Sequence, residues 1–320
     1  MAAPMHQLVN SIIPAYACPA GTKMHILNLG TLTVDEGWYV FRCPQALERK
    51  GLTIRLGTLL INVHAPLRLL MGVNGGSASN PNPTNKRRDL MLIAGLIEHP
   101  EMGLILFECG SSEDAHTQWG AEAVDLFPRT TYDESHHLPK AIESAGYSIK
   151  DVKAVIMGHL HLDHAGGLEH FKNTQIPIYV HEEEFKNACW AAGTKSDAGL
   201  YLADYLHLDG GINWQTFNDS HLDLCTGITL YHCPGHTPGL CIMQVNLLRD
   251  GTFIWTTDQY HVRENFDSNW AHGWLLRDYR SWIDSGKLIR RLQKAFSATL
   301  IFGHDYATAD ALIKSGPYLE

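Results

Sequence analysis

The segment Val155–Leu168, VIMGHLHLDHAGGL, carries the densest set of side chains that can do chemistry. An apolar strand is predicted just before His159 and His161, and two histidines one residue apart in extended backbone point the same way, so they can hold one ion. Asp163 and His164 follow after the chain turns and can face a second ion. Uncompensated polar groups at the end of a buried strand are costly, which favours metal ligands here.

Three later segments have the same form, an apolar strand that stops at a potential ligand. They are LYHCPGHTPG, FIWTTD and LIFGHD, and they supply His236, Asp258 and His304. With the first cluster they bring together five histidines and two aspartates. That set is sufficient for two metal ions with positions left open for water, as catalytic sites require.

The elements around these motifs are predicted to be strands in the first hundred residues and alternating strands and helices after residue 130. Strands are predicted at 26–34, 38–42 and 52–63, and a hairpin at 90–97 and 104–108. Helices are predicted at 131–145, 165–172, 182–190 and 278–296, and strands at 152–157, 177–180, 228–232, 240–245, 253–257 and 299–302. This order indicates an α/β layered domain.

A segment at 72–88, GVNGGSASNPNPTNKRR, is dense in Gly, Asn, Ser and Pro and is predicted to be a flexible insertion. The β segment before it is too small to bury its own core, so we expect residues 1–320 to form a single domain. The insertion is either a functional arm or lid, or an excursion without a role. As an arm it is a candidate dimer contact, which leaves a homodimer open.

The composition narrows the function classes and the compartment. With 25 basic and 34 acidic residues the formal net charge is −9, which argues against nucleic-acid binding. The seven cysteines form no CxxC pair, so neither a disulfide framework nor a cysteine-rich zinc site is indicated. The N-terminus has no basic region before its apolar stretch, and no run approaches the ~20 apolar residues of a membrane span. We expect a cytoplasmic protein.

The motifs HLHLDHAGG, CPGHTPG, the strand ending at Asp258 and FGHD resemble the metal motifs of the metallo-β-lactamase superfamily, over residues 90–310. The resemblance implies a four-layer αββα fold of the α/β class. It also implies a ligand set for each of two divalent ions: His159, His161 and His236 for one, Asp163, His164 and His304 for the other, with Asp258 bridging. Zinc is the default for such ligands, although manganese, iron and cobalt are not excluded by affinity.

Within the superfamily the sequence is most similar to the N-acyl homoserine lactonases, the quorum-quenching group. SAGY at 144–147, the HLHLDHAGG motif and ENF at 264–266 match that group. Flavodiiron proteins carry Glu in place of His161, and the true zinc β-lactamases mostly carry Cys in place of Asp258. One departure stands out: the lactonases place a catalytic Tyr three residues after the bridging Asp, where this chain has His261, preceded by Tyr260.

The resemblance and the chemistry of two ions together predict a hydrolase. We expect a hydroxide shared by the ions to attack a carbonyl carbon while one ion polarises the carbonyl oxygen. Tyr260 or His261 is predicted to donate a hydrogen bond to the developing oxyanion, with a core aromatic and a solvated loop histidine as the respective alternatives. Asp163 is a candidate for passing a proton to the leaving group.

Several substrate classes remain open. The leading hypothesis is ring opening of a cyclic ester similar to an acyl homoserine lactone, in quorum quenching or detoxification. Hydrolysis of a lactam or cyclic carbamate of the benzoxazolinone type is the alternative, favoured by aromatic residues after Asp258 and by the missing Tyr. A glyoxalase II-like thioesterase would need basic residues near the motifs. A metal-bound scaffold or sensor without catalysis would be expected to have lost ligands.

Two further features have open interpretations. Glu108, after a predicted strand, is either a partner for a ligating histidine or a plain strand-end carboxylate. The segment 259–276 contains Phe266, Trp270, His272 and Trp274 and is predicted to form either an aromatic wall of the pocket or a lid packed on the domain. Residues 200–214 are expected to contribute to the same rim.

Overall fold

The computed structural model describes residues 17–40 and 75–319. The strand predicted at 52–63 lies outside this part, as do the last two residues of the one predicted at 38–42. For residues 38–40 the predicted strand is wrong, because Glu36–Trp38 form a 3₁₀ turn capped by the Asp35 side chain. That residues 1–320 form one domain stays a prediction.

Thirteen strands form two sheets within the described residues. They are β1 (Lys23–Asp35), β2 (Arg87–His99), β3 (Gly103–Phe107), β4 (Arg129–Thr131), β5 (Val152–Ile156), β6 (Pro177–His181), β7 (Asn213–Phe217), β8 (His221–Cys225), β9 (Ile228–His232), β10 (Cys241–Leu247), β11 (Gly251–Thr257), β12 (Thr299–Phe302) and β13 (Tyr318–Leu319). The first sheet has the order β13-β1-β2-β3-β5-β6-β7, with β4 paired to β1, and the second has the order β12-β11-β10-β9-β8.

Strand direction differs between the halves of the first sheet. The pairs β1–β2 and β2–β3 are antiparallel, and Gly95 opposite Phe107 confirms the predicted hairpin. The pairs β3–β5, β5–β6 and β6–β7 are parallel, because each connection crosses over through helical or turn segments. In the second sheet β8 to β11 are antiparallel and β12 joins β11 in parallel.

Eight α-helices flank the sheets in the described ranges. They are α1 (Ala115–Gln118), α2 (Gly120–Leu126), α3 (Leu138–Ser144), α4 (Glu182–Thr194), α5 (Ala203–Leu206), α6 (Arg263–Asp267), α7 (Tyr279–Phe296) and α8 (Tyr306–Ser315). Residues of α1 to α5 share one core with the outer face of the first sheet, while α7 shares another with the outer face of the second. A third core lies between the sheets. The chain therefore has the predicted four-layer αββα fold.

The alternation of side chains along β2 and β10 explains how each sheet contributes to two cores. In β2, Leu92 and Leu96 face the helical layer, whereas Ile93 and Ile97 face the second sheet. All seven residues of β10 are buried, with Ile242 toward α7 and Met243 toward the first sheet. Strands covered on both faces are mostly apolar, and the two buried amides of β10, Gln244 and Asn246, hydrogen-bond to each other.

The helix predicted over 131–145 is wrong in its first half. Arg129–Thr131 pair with β1 as strand β4, and Glu134–His136 form a 3₁₀ turn capped by the Asp133 side chain. The α-helix begins only at Leu138, with a proline in its first turn, where the missing N–H is tolerated. None of the helices in residues 17–40 and 75–319 is long and apolar enough to cross a lipid bilayer.

Candidate metal centre

The predicted ligands follow the carboxyl ends of four strands. Asp258 follows β11 and His304 follows β12, two strands that run parallel, so both ends lie at one edge of the second sheet. His236 follows β9, which runs in the same direction because β10 lies antiparallel between β9 and β11. The segment 159–164 follows β5 of the first sheet. The site therefore lies where loops of both sheets meet.

The first three histidines form one compact group. The ligating nitrogens of His159, His161 and His236 lie within 4.8 Å of one another. Nδ1 of His161 is 3.0 Å from Nε2 of His236, and all three residues are buried. Burial lowers the pKa of His159 and of His236 well below the ordinary value, so both rings are neutral, which is the state that binds a metal.

The second predicted group also comes together. Ligand atoms of Asp163, His164 and His304 lie within 4.8 Å of one another. The Nε2 atoms of His164 and His304 are 3.2 Å apart, and Oδ2 of Asp163 lies 3.6 Å from Nε2 of His304. Asp163 is the more accessible member of the group, since the other two are buried.

Asp258 lies between the two groups, with one oxygen toward each. Its Oδ2 is 3.4 Å from Nε2 of His236 and 3.7 Å from Nε2 of His159. Its Oδ1 is 3.0 Å from Nε2 of His304 and 3.3 Å from Nε2 of His164. A carboxylate in this position can bind one ion through each oxygen.

The donor set fits two divalent ions. His159 Nε2 and Asp258 Oδ1 are buried without a hydrogen-bond partner, and a bound cation would satisfy both. The nitrogen and oxygen donors suit zinc, manganese, iron or cobalt. Each group of three leaves coordination positions for water and substrate, as in catalytic rather than structural sites.

Glu108 orients the predicted ligand His164 by contacting its Nδ1 atom. Its Oε2 contacts Nδ1 of His164, while its Oε1 accepts hydrogen bonds from the Gly158 amide at 2.9 Å and from Thr257 Oγ1 at 3.3 Å. Burial opposes a positive charge on His164, but Glu108, Asp258 and Asp163 outweigh it and raise the pKa of this ring. Of the two interpretations of Glu108, the structure supports that of a histidine partner.

Two other ligands have partners that the sequence analysis did not identify. Nδ1 of His304 donates to the Met91 carbonyl at 3.0 Å. Nε2 of His161 faces Oδ2 of Asp197 at 3.9 Å, and Asp197 also pairs with Arg277. Burial opposes ionisation of Asp197, but His161 and Arg277 lower the pKa of Asp197 to about 2. No motif marked Asp197, which lies in a 3₁₀ turn far along the chain from its partners.

Glu184 connects the two loops that supply the first group. This fully buried carboxylate of α4 accepts from the Leu160 amide at 3.0 Å, in the loop of His159 and His161. It also accepts from Thr237 Oγ1 at 2.6 Å and from the Gly239 amide at 3.2 Å, in the loop of His236. In the sequence Glu184 is the last of three successive glutamates, a pattern typical of an exposed helix. Nothing in the sequence therefore distinguished it from Glu182 or Glu183.

The backbone near Asp258 is strained. Thr257 has a φ of 40°, a left-handed conformation that β-branched residues rarely adopt. Gly303 allows the loop after β12 to approach, because a Cβ there would lie 2.6 Å from Asp258 Oδ1 and 2.7 Å from the Thr257 carbonyl. The strain is located at the end of β11, immediately before Asp258.

The structure separates Tyr260 from His261. Tyr260 is buried between Phe266 and Trp282 in the core beneath α7, and burial raises its pKa to about 12. It is absent from the described residues that line the metal cavity, whereas His261 lines this cavity. Nε2 of His261 is 3.0 Å from Oδ2 of Asp258. His261 therefore adjoins the predicted ligand cluster, whereas Tyr260 does not.

The cavity over the cluster is small, with a volume of about 30 Å³, and its apolar walls are aliphatic except for Phe127. Its apolar lining consists of Leu32, Val34, Leu90, Phe127, Leu162, Leu200 and Leu275. Of the predicted aromatic wall, Phe266, Trp270 and Trp274 pack into the cores instead, so the lid interpretation holds for them. Among the described lining residues there is no lysine or arginine.

Comparisons with known proteins identify the family to which this fold and these motifs belong. A model of the metallo-beta-lactamase superfamily matches residues 94–304. The N-acyl homoserine lactonase AiiB of Agrobacterium fabrum is 23% identical over 303 residues, which cover 92% of this chain and 98% of that protein. An N-acyl homoserine lactonase of Bacillus sp is 29% identical over 226 residues, covering 68% of this chain and 82% of that protein.

Solved structures show the same fold. An N-acyl homoserine lactone hydrolase with the product N-hexanoyl-L-homoserine at its catalytic metal center superposes with a TM-score of 0.67 at 21% identity, covering 92% of this chain and 97% of that one. AidC, a dizinc quorum-quenching lactonase with a bound product, superposes with a TM-score of 0.58 at 17% identity, covering 90% and 88%. At these identities the likeness concerns the fold.

Proposed function

The chain belongs to the metallo-beta-lactamase superfamily, and on that premise we propose that it is a dinuclear metal-dependent hydrolase that opens a cyclic ester. The observation that carries the proposal is the position of Asp258, with one carboxylate oxygen toward each group of three ligands. The relatives named as N-acyl homoserine lactonases favour a lactone as the substrate class. We propose zinc for both ions, since the donors are imidazole and carboxylate.

The reaction is a hydrolysis in which all atoms are supplied by water and substrate. The oxygen of water bonds to the carbonyl carbon, and the bond from that carbon to the ring oxygen breaks. The ring oxygen takes up one proton, the second proton leaves to solvent, and the product is a hydroxy carboxylate. When bound, the two ions supply an activated water and stabilise negative charge on oxygen.

Two side chains of this site have proposed roles in that reaction. His261 lines the cavity beside Asp258 and can donate a hydrogen bond to the carbonyl oxygen as it becomes an oxyanion. Asp163 also lines the cavity and retains some solvent exposure, so it can carry a proton to the leaving ring oxygen. Tyr260 has no role in this scheme, because its ring lies in a separate core.

The other substrate classes have less support. A benzoxazolinone-type carbamate was favoured by an aromatic wall, but Trp270 and Trp274 pack away from the cavity. A glutathione thioester would need a cation to bind its carboxylates, and the lining within residues 17–40 and 75–319 offers none. A neutral lactone needs no such cation, and the apolar lining is compatible with contact to its hydrocarbon part.

A panel assay with metal analysis tests the proposal. Zinc content is measured on the purified protein, and proton release is followed with N-hexanoyl homoserine lactone, a simple γ-lactone, a benzoxazolinone and a lactoyl thioester. We expect two ions per chain and fastest turnover of a lactone. The Asp258→Ala variant should no longer hold two metal ions together, and its turnover should be at least about 100-fold lower. Wild-type turnover in that variant, or a metal-free active protein, contradicts the proposal.

A further inference from the structure

The residue before Asp258 holds a backbone conformation that its side chain disfavours. Thr257 has a φ of 40°, which glycine adopts freely and a β-branched residue rarely adopts. Residues in such conformations persist where the surrounding structure holds them, and they are frequent at functional sites. A glycine would follow the same backbone path without strain, so we expect the threonine side chain to supply a contact that glycine lacks.

The hydroxyl of Thr257 lies between parts of the two ligand groups. Its Oγ1 is buried, 3.3 Å from Oε1 of Glu108 and 3.3 Å from Nδ1 of His159. A carboxylate oxygen only accepts, so the hydroxyl hydrogen is directed at Glu108. The hydroxyl oxygen keeps its lone pairs for the contact with His159 on the other side.

Glu108 extends this contact to the second ligand group. Its other oxygen, Oε2, contacts Nδ1 of His164. The Gly158 amide holds Oε1 at 2.9 Å, and only glycine leaves room there, because a Cβ would overlap Oε1 and lie 3.0 Å from Cγ2 of Thr257. A continuous row of contacts therefore runs from His159 of the first group, through Thr257 and Glu108, to His164 of the second.

We propose that Thr257 is a positioning residue whose hydroxyl couples the two ligand groups. It holds His159 relative to Glu108 and, through Glu108, relative to His164. The inference rests on the proposed function in taking both groups as metal sites. A fixed contact on the outer side of a ligating imidazole limits its rotation, so both ions should bind more tightly than with an apolar side chain at position 257.

Zinc affinity of the full chain, measured by competition with a chromophoric chelator, tests the proposal. Thr257→Val keeps the shape and the branched Cβ but has no hydroxyl, and it should weaken binding of the zinc ions about 10- to 100-fold. Thr257→Ser keeps the hydroxyl and should bind zinc as the wild type does. The matched control is Thr252→Val, which removes a buried hydroxyl of the same strand, 3.0 Å from Oδ1 of Asn246, and should leave zinc affinity unchanged.

Further variants test whether the hydroxyl acts through Glu108. In Thr257→Val/Glu108→Gln the loss of zinc affinity should be smaller than the product of the two single losses, since both changes interrupt the same row of contacts. Thr257→Ala also lacks the hydroxyl and should show the loss seen in Thr257→Val. The visible absorption of the Co²⁺-substituted protein reports ligand geometry, so it should change in Thr257→Val and not in Thr252→Val.

The outcomes separate this inference from the proposed function. Wild-type zinc affinity in Thr257→Val, an equally large loss in Thr257→Ser, or fully multiplicative losses in the double variant overturn the inference, even if a lactone is hydrolysed. If zinc binds and no lactone is hydrolysed, the proposed function fails while the zinc affinities still decide the role of Thr257. A chain that binds neither zinc nor cobalt contradicts both.

Discussion

Single residues around Asp258 have little freedom to change, and Gly303 is the clearest case. A Cβ at this position would overlap Asp258 Oδ1 and the carbonyl of Thr257, whose backbone is strained. We expect Gly303→Ala to displace the Asp258 carboxylate and to weaken binding of the proposed zinc ions about 10- to 100-fold, measured by competition with a chromophoric chelator.

Gly193 provides the matched control for that substitution. It lies in α4, and a Cβ there meets no atom within 4 Å. Gly193→Ala should leave zinc affinity unchanged and stabilise the fold by about 0.5–1 kcal/mol, because alanine is the better helix former. Equal zinc affinity of the two alanine variants would contradict the role assigned to Gly303.

At this scale the sequence was informative about candidate ligands and, apart from Glu108, uninformative about the residues that contact them. That His159, His161 and Asp258 lie close together could be predicted, because each follows the end of an apolar strand at the spacing expected of a metal ligand. Asp197 could not be predicted, because its partners His161 and Arg277 are far away in sequence and no local spacing links them. Tyr260 and His261 were not distinguishable, since a change of one position decides which side chain faces the cavity.

Helix α4 acts as an element that joins ligand loops, and Glu184 is its point of attachment. Glu184→Ala leaves the amides of Leu160 and Gly239 without an acceptor in a buried position. We expect a loss of about 2–4 kcal/mol in the free energy of unfolding by urea, together with weaker zinc binding. Glu183→Ala, at the exposed neighbouring position, should change stability by less than about 0.5 kcal/mol. Similar losses in both variants would refute the connecting role.

The start of α4 should make stability depend on pH. Nδ1 of His181 accepts from the Glu183 amide as the helix N-cap, and its ring stacks on His232 with centroids 3.9 Å apart. Burial first, and then His232, lower the pKa of His181 to about 4. Between its ordinary value of 6.5 and 4, the unfolded chain binds a proton that the folded chain does not, so stability falls as pH falls through this window.

Urea unfolding at pH 7 and pH 5 measures that dependence. We expect the wild type to lose about 1–2 kcal/mol more than His181→Asn between these two pH values, because asparagine caps a helix without titrating. His116→Asn, at an exposed site, should behave as the wild type does. An identical pH dependence in His181→Asn would show that the stacked pair does not contribute.

The elements themselves were predictable where one physical signal dominated. The hairpin of β2 and β3, the strands β9 to β12 and the amphipathic helix α7 were identified from apolar runs between turn residues, and the structure confirms them. Strands β7 and β8 were missed because their exposed polar positions obscure the pattern. The start of α3 was misplaced because the helical signal of 131–137 is weaker than its pairing with β1 and its side-chain caps.

At the scale of the whole molecule, each proposed ion connects the two sheets. His159 and Asp163 come from the loop after β5 in the first sheet, whereas His236 and His304 follow strands of the second. Removing the ions by chelation should therefore lower Tm, and zinc at about 1,000 times Kd should restore about 4 kcal/mol of stability. Calorimetry of stripped and reloaded protein checks this, and equal Tm values for both forms would contradict it.

The aliphatic cavity and the net charge of −9 together affect how the reaction ends. A lactone arrives uncharged, so the negative field of the protein does not impede its entry. Under the proposed function, ring opening creates an anion inside a chamber whose described walls hold no lysine or arginine, so the two ions are the groups that would retain it. The negative field of the protein opposes that retention, so we expect the new carboxylate to leave most rapidly at low ionic strength, where the field is least screened.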